Sequence, residues 1–159
     1  NASDLGVWMI NIHASGGREM ILAAKEGVEL GRTRPLLVAV TVLTSLDAAD
    51  LRCVGVHNEP KQQVGLLSKL AFECGLDGVV CSACEVEEIK MHTSGKFLCV
   101  TPGIRLGEGE SKQDQKRVVT PIEAIKVGAN YLVIGRSITR SENPIDILDT
   151  INAEINKLV

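Results

Sequence analysis

Residues 131–140 read YLVIGRSITR, and this stretch decides how the rest of the chain is read. Tyr131, Leu132, Val133 and Ile134 form a continuous apolar run, the mark of a strand buried on both faces of a parallel sheet. The run passes directly into Gly135 and Arg136, then Ser137 and Thr139. α/β folds place ligands at the C-terminal ends of their strands. At such an end a glycine lets the backbone approach an anion, and an arginine offers a fork of donors matched to phosphate oxygens. The stretch therefore predicts a phosphate-binding strand end, although a glycine after a buried strand also serves simply as a turn.

Working outward, the same alternation recurs. Residues 6–13 (GVWMINIH) form an apolar run ending at His13, followed by the small-residue loop ASGG and by helical spacing through Met20, Ile21, Ala24 and Val28, with Gly31 as its stop. Residues 36–43 (LLVAVTVL) are rich in β-branched residues and lead to Thr44, Ser45 and Asp47, which are loop and N-cap candidates. The connection 48–60, with Gly55, His57, Asn58 and Pro60, reads as irregular. Helical spacing resumes at Val64, Leu67, Leu70, Ala71 and Phe72 and stops at Gly75. A short strand over 78–81 enters Ser82 and Ala83, and Val86, Ile89 and Met91 mark a short helix. Residues 97–100 form a fourth strand ending in TPGIR, 101–105, and a polar loop covers 106–117. Thr120 and Pro121 pair an N-cap with a proline at the first helical position, opening a helix over 122–127 that Gly128 ends. After the strand quoted first come a helical turn at 137–141 and an amphipathic helix over 144–158.

Strands starting near residues 7, 36, 78, 97 and 131, each followed by a helix or helical turn, predict one domain with a parallel sheet. Neither a GxGxxG dinucleotide turn nor a GxxxxGK[ST] phosphate loop occurs. Polar and glycine residues follow every strand, which suits a barrel whose site is assembled from its βα loops. On pattern alone an open five-stranded sheet fits as well.

Composition narrows the classes. The chain of 159 residues is 45% hydrophobic and 23% charged, as a folded globular domain requires. A formal charge of -3 and 3% aromatic residues give neither the basic footprint nor the stacking platform of a nucleic-acid binder. No signal peptide or membrane-length apolar run is present. Cys53, Cys74, Cys81, Cys84 and Cys99 are odd in number and form no zinc framework, so they read as reduced intracellular thiols, with Cys81 buried at the end of its strand. The chain opens on Asn1 only a few residues before a strand, which reads as a chain entered in its middle.

Candidate site residues lie at the strand ends. His13 is a candidate base or substrate contact, or else a brace between neighbouring loops. Thr44 and Ser45 offer hydroxyls and backbone donors, or merely cap a helix. Thr101, Pro102, Gly103, Ile104 and Arg105 put a Pro-Gly turn beside an arginine, and Asp114, Gln115, Lys116 and Arg117 could close over an anion. Glu85, Glu87, Glu88 and Lys90 read as a solvated helix face. Arg140 reads as a surface or interface group.

DLGVWMINIHASGG (4–17), PLLVAVTVLTS (35–45), GLDGVVCSA (75–83), VTPGIR (100–105) and YLVIGRSIT (131–139) together resemble the bacterial-type orotidine 5'-phosphate decarboxylase family, in order and over nearly the whole chain. The resemblance implies a TIM (β/α)8 barrel of the ribulose-phosphate-binding type. The strands here would be its fourth to eighth, and the first three would not be among these residues. It implies conversion of orotidine 5'-monophosphate (OMP) to UMP and carbon dioxide in pyrimidine biosynthesis. It further implies no metal or organic cofactor, a homodimer, a cytoplasmic location, and no nucleic-acid or membrane partner. By the same resemblance Arg136 and the Gly135 backbone would hold the phosphate, with Gln115 as a gripper from the long loop. Arg105 would be a further substrate contact, and Thr44 with Ser45 would recognise the pyrimidine. His13, Pro102 and Gly103 would support them.

The departures are as informative. The family's D-x-K-x-x-D-I-P-N type motif, whose lysine and aspartates carry the decarboxylation, does not occur here, so no residue of this chain is assigned as catalytic. Five strands would also leave two edges with unpaired backbone groups, and the chain by itself is expected to be weakly stable, to associate through those edges and to lack turnover. Two alternatives use the same strand-end arginine: another phosphate-binding barrel enzyme, such as a sugar-phosphate decarboxylase or an aldolase-like enzyme with Mg2+, and a noncatalytic phosphate-binding fragment.

Overall fold

The structure, a computed structural model, describes residues 2–106 and 119–158. Five strands alternate with helices: β1 (Met9–His13), α1 (Gly17–Glu29), β2 (Leu36–Val40), α2 (Ala48–Cys53), α3 (Pro60–Glu73), β3 (Gly78–Val80), α4 (Ala83–His92), β4 (Leu98–Thr101), α5 (Pro121–Lys126), β5 (Tyr131–Leu132), α6 (Arg136–Thr139) and α7 (Pro144–Ile155). Local chemistry sets these boundaries. In α3, Pro60 occupies the first turn, Val64, Leu67 and Ala71 share the buried face, and Gly75 takes the positive φ (+74°) just past the end. In α5, the Thr120 hydroxyl accepts from the Glu123 N–H while the Glu123 carboxylate accepts from the Thr120 N–H, a reciprocal capping box.

The five strands are all parallel and lie in the order β1-β2-β3-β4-β5. Crossovers of one hand between sequential neighbours put every helix on the same side, whereas a doubly wound sheet reverses its order at a switch point. Leu37, Ala39, Val79 and Cys99 face those helices in a single core with Ile21, Val64, Ala71, Val86 and Ile89. By alternation Val38, Val40, Val80 and Val100 face the concave side.

Curvature separates the barrel from the open sheet. Strands four places apart in a flat sheet are roughly 19 Å apart, at about 4.8 Å per step. Yet the rings of Trp8, just before β1, and Tyr131, opening β5, have centroids only 5.1 Å apart. The sheet is rolled until side chains of its outer strands touch, as the curvature of an eight-stranded barrel allows. The structure thus has the curvature of a TIM barrel, with five strands of it among the described residues.

Two expectations need correction. The connection 48–60 is not wholly irregular: Asp47 accepts from the Ala49 and Asp50 N–H groups, and the Asp50 carboxylate accepts from the Asp47 N–H at 3.0 Å, starting α2. Nor is 85–90 a solvated face. Glu85 is buried on α4, Glu88 pairs with Lys61 at 3.0 Å, and Lys90 donates to the Phe97 carbonyl and to Asn130 Oδ1, leaving Glu87 as the exposed member. The reason is register: helical spacing turns Glu85 toward the sheet, and the Lys90 stem reaches its lower rim.

Candidate functional site

In-register pairing brings His13, Val40, Val80 and Val100 to one level at the C-terminal ends of β1 to β4. Beyond that level the chain leaves the sheet. After β2 it passes through Thr44, 4% exposed, and the half-buried Ser45 before Asp47 caps α2. After β4 it turns through Pro102 and Gly103, whose φ of +80° is the conformation a Pro-Gly type II turn requires. Thr44, Ser45 and Pro102 converge with Val40, Val80 and Cys81 around a cleft of about 210 Å³. Its lining is mostly apolar with the hydroxyl-bearing Thr44 and Ser45 among it, the composition of a small-molecule site.

The hydrogen bond with Cys99, and then burial, hold the Cys81 thiol well above its ordinary value. At neutral pH it lines the cleft as an uncharged thiol and not as a nucleophile. Sequence reasoning found Cys81 only as a buried thiol and passed over Val40 and Val80. Their signal was the last apolar position of each strand, which register brings to the mouth.

β4 and β5 are neighbours, so the two arginine-bearing strand ends adjoin. Arg105 is 7% exposed. Its Nη1 donates to the Ile104 carbonyl at 3.2 Å, and its N–H donates to the Val119 carbonyl. Ile104 and Val119 form a parallel bridge that staples the two ends of the segment 107–118. Gln115 and its neighbours Asp114, Lys116 and Arg117 lie outside the described residues.

At the end of β5, Gly135 is the N-cap of α6 and Arg136 its first residue. A Cβ built on Gly135 meets nothing within 4 Å, so no packing within the described residues demands glycine there. Among the described residues the space at its Cβ position is open, and the half-buried Arg136 follows at once. His13 stands exposed at the end of β1, outside the lining of the Thr44–Pro102 cleft. Among the described residues no group of three or more His, Cys, Asp or Glu could hold a metal ion, and no helix is long and apolar enough to cross a membrane.

A rolled parallel sheet, helices outside, and a cleft with arginines at the C-terminal strand ends define a ligand-binding protein of the TIM-barrel class. Residues 1–151 match the family described as "Orotidine 5'-phosphate decarboxylase / HUMPS", and the chain belongs to that family. It is 54% identical over 152 residues to the orotidine 5'-phosphate decarboxylase of Psychromonas ingrahamii, covering 95% of this chain and 64% of that protein. Against the Dichelobacter nodosus protein of the same name the identity is 55%, covering 97% of this chain and 67% of that one. The crystal structure of orotidine 5'-phosphate decarboxylase from Lactobacillus acidophilus superposes with a TM-score of 0.83 at 35% identity, over 98% of this chain and 66% of that one. The chain thus spans about two thirds of the length of these relatives.

Proposed function

We propose that this chain supplies the substrate-binding side of an OMP decarboxylase, acting on OMP to yield UMP and carbon dioxide. The observation that carries this reading is the meeting of two features at one end of the sheet: the Thr44–Ser45–Pro102 cleft and the Gly135–Arg136 turn. In this reading the Arg136 fork and the Gly135 backbone take the phosphate, and Arg105 adds charge from the neighbouring strand end. Thr44 and Ser45 face the pyrimidine, with His13, Pro102 and Gly103 shaping the rim. Gln115 grips the phosphate from the 107–118 segment, so that binding a remote group helps stabilise the transition state. No metal or organic cofactor is called for. The proton donor to the pyrimidine and the carboxylates that crowd the departing group come from outside these residues, in a cytoplasmic homodimer.

Titrating the chain with UMP and assaying OMP turnover tests both halves. UMP is expected to bind, and Arg136→Ala to weaken it by about 1.5–3 kcal/mol, the worth of hydrogen bonds to a charged group. Unchanged UMP affinity in that variant would remove Arg136 from the phosphate site. Turnover of OMP by the 159-residue chain is expected to be undetectable. Substantial turnover would place the decarboxylating groups within it.

A further inference from the structure

The convex side carries a second concavity, between α3 and α4 and away from the strand ends. It has a volume of about 390 Å³; Gln62, Gly65, Leu66, Ser68 and Lys69 line it from α3, and Glu88, Ile89 and His92 from α4, with Thr93 just beyond. Two independent features there are unexplained by packing. Gly65 sits in the middle of α3, where glycine weakens a helix relative to alanine, yet a Cβ built on it meets nothing within 4 Å. One helical turn on, Ser68 is only 2% exposed, and its hydroxyl has no hydrogen-bond partner among the described residues. A buried hydroxyl without a partner costs stability unless something else supplies one.

The charges around the groove are unevenly satisfied. Glu88 is held by Lys61 at 3.0 Å, and Glu73 is held by Arg18 at 2.8 Å. Lys69 stands 4.0 Å from Glu73 Oε1, a long contact beside the Arg18 bond to Oε2. With His92 alongside, the Gln62 carbonyl occupied by the Glu59 N–H and the Glu88 carboxylate held by Lys61, the polar groups still on offer are chiefly donors, Lys69 among them. Leu66 and Ile89 supply apolar walls.

We infer that this groove is a second ligand site, for a small organic carboxylate with an apolar body. The body lies over Gly65 against Leu66 and Ile89. The carboxylate meets Lys69 and His92, and the Ser68 hydroxyl gives it a donor at the floor. The site is separate from the strand-end cleft, so it stands whether or not OMP is the substrate there.

Benzoate is a suitable probe, followed by backbone amide shifts of the full chain, with benzyl alcohol and inorganic phosphate as controls. Saturable shifts confined to α3 and α4 are expected with benzoate, and much weaker ones with either control. Lys69→Glu, an exposed change that leaves the core alone, is expected to weaken benzoate at least about tenfold. Gly65→Ala is expected to raise the thermal midpoint while weakening benzoate roughly tenfold, because its methyl group enters the site. The inference fails if benzoate leaves α3 and α4 unmoved, or if Lys69→Glu binds it unchanged. It fails equally if benzyl alcohol or phosphate binds as tightly. Amide shifts there that follow protein concentration instead would name a second copy of the chain as the occupant and overturn it.

Discussion

β2 and β5 are written in the same apolar alphabet, LLVAV against YLVI, yet they have different fates. Leu37, Val38, Ala39 and Val40 of β2 are at most 9% exposed, flanked by β1 and β3 and covered by helices. Tyr131 and, just past β5, Val133 remain 38% and 51% exposed, because among the described residues β5 has a strand on one side only. β1 shows the same contrast: Asn11 and His13 are exposed, and Trp8 is 61% exposed despite its contact with Tyr131. Side-chain character sets what a strand can bury, while the number of neighbours sets what it does bury. Burial is therefore concentrated in β2 to β4, and the outer strands keep apolar surface exposed among the described residues.

The sharpest way to break this comparison is at two glycines. A Cβ on Gly78, in β3, would stand 2.3 Å from the Leu98 carbonyl oxygen, a backbone atom that cannot swing away. Gly78→Val is expected to cost about 3 kcal/mol or more, or to prevent folding, as overpacking against backbone does. Gly135→Ala, at the end of β5, meets open space and is expected to leave the urea midpoint nearly unchanged while weakening UMP in the proposed phosphate site. Equal losses of stability at the two positions would mean that the centre and the edge are not separate mechanical regions.

A smaller effect separates two valines. Val79 is fully buried among helices and strands, and Val79→Ala is expected to cost about 2–3 kcal/mol, from lost transfer energy and the cavity left behind. Val133→Ala removes a half-exposed side chain and is expected to cost less than about 1 kcal/mol. Urea unfolding of both variants under one set of conditions gives the ratio. A ratio near one would show that β5 is buried in solution against something absent from the described contacts, such as a second copy of the chain.

The same contrast explains what the sequence made legible. All five strands and their parallel arrangement follow from apolar runs and intervening helices, because side-chain character marks a strand whether or not its neighbours end up covering it. Whether the sheet rolls does not follow, since curvature appears only when Trp8 and Tyr131 meet across four strand positions. Short elements were harder. α2 has only six residues, and its signal is the Asp47–Asp50 box, masked by the Gly, Asn and Pro that follow it. At the candidate site, Thr44, Ser45, Pro102 and Arg136 stand out in sequence as polar or turn residues after apolar runs. Val40 and Val80 do not, because an apolar cleft floor and an apolar core look identical until register assigns their faces.

The smallest expected effect lies at the entrance to β5, where local capping does work that packing does elsewhere. The backbone N–H of Thr120, and then its hydroxyl, donate to the Glu123 carboxylate and hold it below its ordinary value. A carboxyl lowered in the folded state stabilises the fold above its unfolded value, and that contribution is lost as pH falls through the lowered folded one. Thr120→Ala is expected to cost about 1 kcal/mol at neutral pH. The gap to the parent chain should narrow on acidification, because the protonated Glu123 no longer accepts those bonds. Urea midpoints of both chains measured from neutral pH down through the carboxylate range test the sign. A gap that widens toward acid would mean that Thr120 holds α5 through packing, and that the edge is built on the same principle as the centre.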